Sequence, residues 1–357
     1  MPKLFEPIQL RDLKVKNRIW IAPMCQYSCE NKDGVPGSWH EVHLASRAIG
    51  GAGLIIVEAS GVSPEGRITP WCTGIWNDEQ TKAWKKIVDL CHANGAKMAM
   101  QLAHAGRKAS NHREASGVGS IPISEGGWET VSSTSQAFGD YAAPRKLSVA
   151  EIAELVDAFG QAAKRSVDAG FDAVEIHGAH GYLLHQFLSP LSNDRDDEYG
   201  GSLENRARML MEVIAAIRKS VPESMPVFLR LSATDYAEGG WDQEQTATVS
   251  GWATEAGVDL IDVSSGGIIT GVKIPSGPGY QVPLAEYVAD RISEPVSAVG
   301  QITDAHQAEQ ILQSGKVDVI LIARASLRDP YWPLRAAAEL GTEVNWPDQY
   351  SRGKWPS

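Results

Sequence analysis

The sequence predicts an α/β fold: a (β/α)8 TIM barrel with an N-terminal hairpin and an elaborated loop after its third strand. Three observations carry that reading. Eight short apolar runs recur along the 357 residues, and most end in small or polar residues, the pattern of strands buried on both faces of a parallel sheet. A helix stop, an Asp and an apolar strand repeat as AGFDAVEI, AGVDLIDV and SGKVDVILI, the rhythm of successive βα units. No G-x-G-x-x-G follows a strand, which disfavours a doubly wound dinucleotide-binding sheet as the alternative. The length suits one large barrel, so residues 1–357 read as a single domain.

Composition narrows the function. With 43% hydrophobic and 22% charged residues the chain resembles an ordinary soluble enzyme, and its net charge of −11 argues against a nucleic-acid partner. No apolar run approaches the ~20 residues of a membrane span. The opening MPKLFEPIQL lacks the basic-then-apolar pattern of a signal peptide, so a cytoplasmic location is expected. Cys25, Cys29, Cys72 and Cys91 are too few and scattered for a disulfide scaffold, and none forms a C-x-x-C zinc pair.

The elements follow in order. Residues 4–19 alternate apolar and polar positions about Arg11-Asp12, which predicts a hairpin plugging one end of the barrel. Strands are expected at 18–24, 52–59, 97–103, 171–176, 227–231, 260–263, 296–299 and 317–322. A helix over 78–94 is capped by Asn77, and Ser148-Val-Ala-Glu151 is a capping box opening a helix that stops at Ala169-Gly170. A further helix is expected over 206–220. Residues 105–147 dissolve into Gly, Ser and Pro and read as an active-site loop or an inserted hairpin.

Chemistry concentrates where the strands end. In FDAVEIHGAHGY, residues 171–182, a buried strand breaks into a turn holding His177, His180 and Tyr182, separated by small residues. A barrel brings them to one rim with Cys25, Tyr27, Ala59, Gln101, Arg230, Gly300 and Arg324, around one cavity. Arg230 inside a strand must meet a carboxylate or face a ligand, because an unpaired buried cation is costly. Loops after the last two strands commonly bind phosphate; Gly300 permits close backbone approach and Arg324 offers a forked cation, so a phosphorylated ligand is expected. A metal-dependent barrel hydrolase built on His177 and His180 is the competing reading, but further His and carboxylate ligands are not convincingly placed and no metal is expected.

Five segments carry a resemblance: PMCQY at 23–27, QLAHAGRK at 101–108, HGAHGYLLHQFLSP at 177–190, N-x-R-x-D-x-Y-G-G-S-x-x-N-R at 193–206 and Q-Y-x-R-G at 349–353. Taken in order over nearly the whole chain, they resemble the old yellow enzyme family. The cysteine after Pro-Met and the C-terminal arginine resemble its xenobiotic reductase and thermophilic-like ene-reductase branch. The resemblance implies a noncovalent FMN, reduced by NADPH or NADH and reoxidised by an α,β-unsaturated carbonyl compound, or also by nitro compounds. Pro23, Met24, Cys25, Ala59, Gln101, Arg230, Gly300, Gln301, Ala323 and Arg324 would contact FMN. His177 and His180 would bind the substrate oxygen, Tyr182 would donate the proton, Tyr27 would help to hold the substrate, and Cys25 would tune the flavin. A homodimer or homotetramer is implied, with Arg352 reaching a neighbouring site. The family often has Gly-Arg where this chain has Ala323-Arg324. A 2,4-dienoyl thioester reductase-like barrel is a further alternative, although the iron–sulfur and second flavin domain usual there is not matched by four scattered cysteines.

Overall fold

A computed structural model describes residues 1–114 and 116–355. Eight parallel strands form the barrel: β1 (Ile19–Ile21), β2 (Leu54–Ile56), β3 (Lys97–Ala103), β4 (Ala173–Gly178), β5 (Val227–Ser232), β6 (Leu260–Ser264), β7 (Val296–Ala298) and β8 (Val319–Ile322). Each pairs with its sequence neighbours, and pairing of β8 with β1 closes the ring. Connecting helices include α1 (Ser38–Ile49), α2 (Asp78–Ala93), α3 (Val149–Asp168), α4 (Leu183–Leu188), α5 (Leu203–Ser220), α6 (Gln243–Glu255), α7 (Val282–Ala289), α8 (Ala305–Gln313), α9 (Arg324–Arg328) and α10 (Trp332–Glu339).

The repeated aspartates have a structural reason. Asp172, Asp259 and Asp318 stand just before β4, β6 and β8, and each accepts a backbone N–H at the start of the preceding strand: Met98 (2.9 Å), Val227 (2.9 Å) and Val296 (3.1 Å). Before β2 the equivalent place is held by Gly53, whose Cβ would lie 2.4 Å from Asn17 Oδ1. Asn17 there accepts the N–H of Ile19 at 3.1 Å. Helix starts follow capping chemistry. Asn77 and Gln80 bond reciprocally at α2, Ser148 and Glu151 at α3, and α5 begins at Leu203, earlier than expected, because Ser202 caps it.

Strands Ile8–Leu10 and Leu13–Val15 form the expected antiparallel hairpin, turning through Arg11 at φ 48°. Its Ile8, Leu10, Leu13 and Val15 pack with the inward side chains Trp20, Leu54, Ala99, Phe228, Leu260 and Val319, so the hairpin seals the lower barrel. Two expectations are corrected. The run 52–59 does not continue as one strand: β2 stops at Ile56, and a two-residue strand, Ser60–Gly61, pairs separately with the end of β3. Between them Glu58 leaves the ladder and accepts the Gln26 N–H at 3.0 Å while facing His40 Nε2 at 3.1 Å. Within 105–147, Val131–Ser132 pairs with Arg145–Lys146 in parallel, so the segment is a crossing loop and not a hairpin.

Candidate active site

The inward positions of successive strands grow more polar toward the upper rim. Above Ala173 and Phe228, β3 presents Gln101, β4 Glu175, β5 Arg230, β6 Asp262 and β7 Ser297, all buried. Gln101 Nε2 donates to Glu175 Oε1 at 2.8 Å, Ser297 Oγ donates to Asp262 Oδ1 at 2.9 Å, and Arg230 Nε lies 3.1 Å from Asp262 Oδ2. Arg230 therefore has its carboxylate and still lines a cavity.

That cavity, about 370 Å³, is lined by Arg230, Ser264, Gly300, Gln301, Ala323, Arg324 and Arg328, with Tyr280 and Gln281 on its wall. Gly300 has φ 120°, and a Cβ there would meet Gln281 Nε2 at 2.8 Å and Tyr280 at 2.9 Å. Gln281 in turn donates to Val299 O at 2.9 Å, tying the loop before α7 to the end of β7. Three guanidinium groups around one concave surface, one of them braced from below, suit a ligand with a phosphate and an electron-rich polar ring. The residues present thus fit a flavin mononucleotide.

At the adjoining strand ends the histidines and tyrosine converge. The His177 ring lies 5.1 Å from that of His180 and 5.0 Å from that of Tyr182, both edge-on. His177 Nδ1 accepts the Ala179 N–H at 3.3 Å, which leaves Nε2 carrying the proton of the neutral ring. His180 Nε2 lies 2.6 Å from Ser264 Oγ. When Ser264 donates there, the His180 ring proton sits on Nδ1. Burial, then the charge of Arg230, holds both imidazoles well below their ordinary range, so both are neutral at pH 7. Burial also raises the Tyr182 phenol well above its usual value, and it stays protonated.

The turn bearing these groups is built by backbone compromise. His180 has φ 59° and Gly181 φ 71°, and a Cβ on Gly181 would lie 2.0 Å from Gly267 O. Lys108 Nζ bridges the two loops, donating to His180 O at 2.9 Å and Gly267 O at 3.0 Å. Burial, then Arg107, lowers this ammonium to about 8. From below, His185 Nδ1 accepts the Gly181 N–H at 2.9 Å.

Cys25, Tyr27 and Tyr182 pack together against Ala59, Cys72 and Ala105. Tyr27 adopts φ 50°, and its carbonyl accepts from Arg113 at 2.9 Å. The Cys25 thiol is pushed well up, chiefly by burial. Pro23 and Met24 lead into this group at the end of β1 and are half-buried. Arg352 stands exposed in the 3-10 turn Asp348–Gly353, where the hydroxyls of Tyr350 and Tyr331 lie 3.2 Å apart. Lys108 and Ser264 received no role from the sequence, although Lys108 lies in QLAHAGRK and Ser264 ends an apolar run. Glu175 and Asp262 were legible by the test applied to Arg230, since each is a charge inside an apolar strand.

A barrel whose upper rim joins neutral hydrogen-bond donors, a protonated phenol and an arginine-lined anion cavity defines a flavin-dependent oxidoreductase class. Residues 3–343 match the NADH:flavin oxidoreductase / NADH oxidase family. The chain belongs to that family, the old yellow enzymes, and is an NAD(P)H:flavin oxidoreductase. It is 46% identical over 351 residues to the NADPH dehydrogenase of Bacillus subtilis (strain 168), spanning 98% of this chain and 99% of that one. It is 45% identical over 350 residues to the NADPH dehydrogenase of Geobacillus sp. (strain WCH70), with 98% of each covered. Among solved structures, morphinone reductase in complex with tetrahydroNAD superposes with TM-score 0.79 at 30% identity, covering 98% of this chain and 93% of that one. The old yellow enzyme homologue from Zymomonas mobilis gives TM-score 0.80 at 27% identity with both chains fully covered. No described helix is long and apolar enough to cross a membrane.

Proposed function

We propose that the chain binds FMN noncovalently at the barrel mouth and, with NADPH or NADH as reductant, reduces the C=C bond of α,β-unsaturated carbonyl compounds. Nitro compounds belong to the same range of acceptors. The convergence of His177, His180 and Tyr182 beside the arginine-lined cavity carries this reading.

When bound, FMN would supply hydride transfer between the nicotinamide and the substrate β-carbon. The protein supplies the rest. His177 Nε2–H and His180 Nδ1–H hold the substrate carbonyl oxygen and stabilise the negative charge that grows on it. Neutral rings suit this task, because they donate without giving up a proton. Tyr182 then protonates the α-carbon; its raised proton affinity favours delivery only to a strongly basic carbon. Tyr27 would help to hold the substrate and Cys25 would tune the flavin. Arg230, Gly300, Gln301, Ala323 and Arg324, with Pro23, Met24, Ala59 and Gln101, would hold the cofactor. Cys25 and Arg352 support a place in the xenobiotic reductase and thermophilic-like branch, as a homodimer or homotetramer in which Arg352 reaches a neighbouring site.

The test is optical. Purified protein should be yellow or become so with FMN, bleach anaerobically with NADPH, and recolour with 2-cyclohexenone. A protein that binds FMN and bleaches but is not recoloured by any enone would overturn the substrate assignment.

A further inference from the structure

Two carboxyl groups face one another inside the barrel beneath the proposed flavin site. Glu175 and Asp262 are both completely buried and lie within hydrogen-bonding reach of each other. Glu175 Oε2 has no hydrogen-bond partner, and Asp262 Oδ2 has only the ionic contact of Arg230 Nε at 3.1 Å. Two ionised carboxylates with a single guanidinium between them repel in a dry interior, whereas one proton shared by the pair removes the repulsion and gives Glu175 Oε2 a partner. We propose that Glu175 and Asp262 hold one proton between them, and that this proton keeps the positive charge of Arg230 available to the flavin above.

Charge accounting explains the effect. Arg230 and one carboxylate form a neutral cluster; a second carboxylate would make it negative directly under the ligand. Two-electron reduction by hydride brings negative charge to the flavin ring, so a neutral floor favours the reduced cofactor and an anionic floor opposes it. The surroundings offer no other compensation. Around the pair, β3 contributes the amide of Gln101, β5 Arg230 and β7 the Ser297 hydroxyl on Asp262, while Ala22, Ile56 and Leu321 of β1, β2 and β8 belong to the apolar interior of the barrel. On its own strand His177 is held neutral. Burial, then the charge of Asp262, raises Glu175 to about 8, which places loss of the shared proton within an accessible pH range. Glu175 is a positioning residue in this scheme, acting through Arg230.

This inference rests on the flavin reading for its consequence but not for its premise, and the experiment separates the two. Infrared titration of the FMN-free protein should show a protonated carboxyl band at pH 7 that disappears in Glu175→Gln. In FMN-loaded protein, midpoint potentials are then measured from pH 6 to 9.5. Glu175→Gln, a neutral mimic, should keep the low-pH behaviour throughout. The unsubstituted protein should lose about tenfold in its preference for reduced over oxidised FMN above the transition, or ~30 mV for a two-electron couple. Absence of the band at pH 7, or the same potential-versus-pH curve in both proteins, overturns the proposal. If Glu175→Gln does not fold, Asp262→Asn removes the other half of the pair and should abolish the same pH step. If neither protein binds FMN, the flavin reading fails and the infrared band alone decides whether the shared proton exists.

Discussion

His185 Nε2 and Asp235 Oδ1 lie 3.0 Å apart with both side chains fully buried, directly behind the turn that carries His180 and Tyr182. Asp235 also accepts from Ser189 Oγ and the Trp241 N–H, while the other His185 nitrogen receives the Gly181 N–H. Removing the imidazole strands two buried groups at once. His185→Leu should cost about 3–5 kcal/mol of stability in chemical denaturation, whereas substituting an exposed residue such as Lys164 should cost little.

Tyr182→Phe separates the two half-reactions. Bleaching by NADPH should proceed at close to its normal rate, because the phenol plays no part in it. Recolouring by an enone should slow by about 10²–10⁴-fold, the usual worth of a positioned acid. Stopped-flow absorbance reads both; equal effects on the two steps would remove Tyr182 from the role of acid.

Ser264 Oγ engages Nε2 of His180 at 2.6 Å and leaves Nδ1 as the free ring nitrogen, the one that the proposed mechanism assigns to the substrate. Ser264→Ala should lower kcat/KM for enones by about tenfold, the worth of one misdirected hydrogen bond, while leaving FMN affinity nearly unchanged.

Gly300→Ala tests the phosphate end. The added methyl must displace Gln281 or Tyr280, which lie within 2.8 and 2.9 Å of its position, and it must do so at φ 120°. FMN affinity, measured by fluorescence quenching, should fall about tenfold or more. Arg324→Ala should give a comparable loss through the missing charge-assisted bonds.

The two buried titrating groups give opposite pH slopes. Glu175 binds its proton more tightly in the folded protein, about 8 against an ordinary 4.5, so its contribution to stability is complete below pH 4.5 and declines up to pH 8. Lys108 binds its proton less tightly when folded, about 8 against 10.5, so stability rises between those values. Each contribution should approach ~1.4 kcal/mol per pH unit, read as the difference in denaturation stability between the unsubstituted protein and the matching variant. Glu175→Gln should flatten the lower window and Lys108→Met the upper one.

The barrel was legible because burial on both sheet faces leaves a mark that periodicity reads directly: runs such as FDAVEI and LIDV have nowhere to put polar side chains except toward the interior axis. The strand ends were less legible. The run through Val57 to Ala59 reads as a continuation of the apolar stretch before it, yet Glu58 departs to meet Gln26 and His40, partners distant in sequence. His177, His180 and Tyr182 could be found because they share one turn. Ser264 and Lys108 could not be given roles from local sequence, since their partners, His180 and the backbone of Gly267, are brought to them by the closing of the ring. Arg230 announced itself by being a charge in a strand; Glu175 and Asp262 did so equally, but were hidden inside motifs read as apolar.

The aspartates at the foot of β4, β6 and β8 divide the barrel wall into two-strand staves, each riveted at its base by a side chain from the second strand to the backbone of the first. A slip of one residue within any stave would break its rivet and turn its inward side chains outward. The upper ends are tied differently, loop to loop, through Lys108 to His180 O and Gly267 O and through Gln281 to Val299 O. Insertions should therefore be absorbed at the top with the alignment of the wall intact, and the long crossing loop after β3 already occupies such a place. The lower rim is the part that keeps time; the long loops above it are where the chain has room to grow.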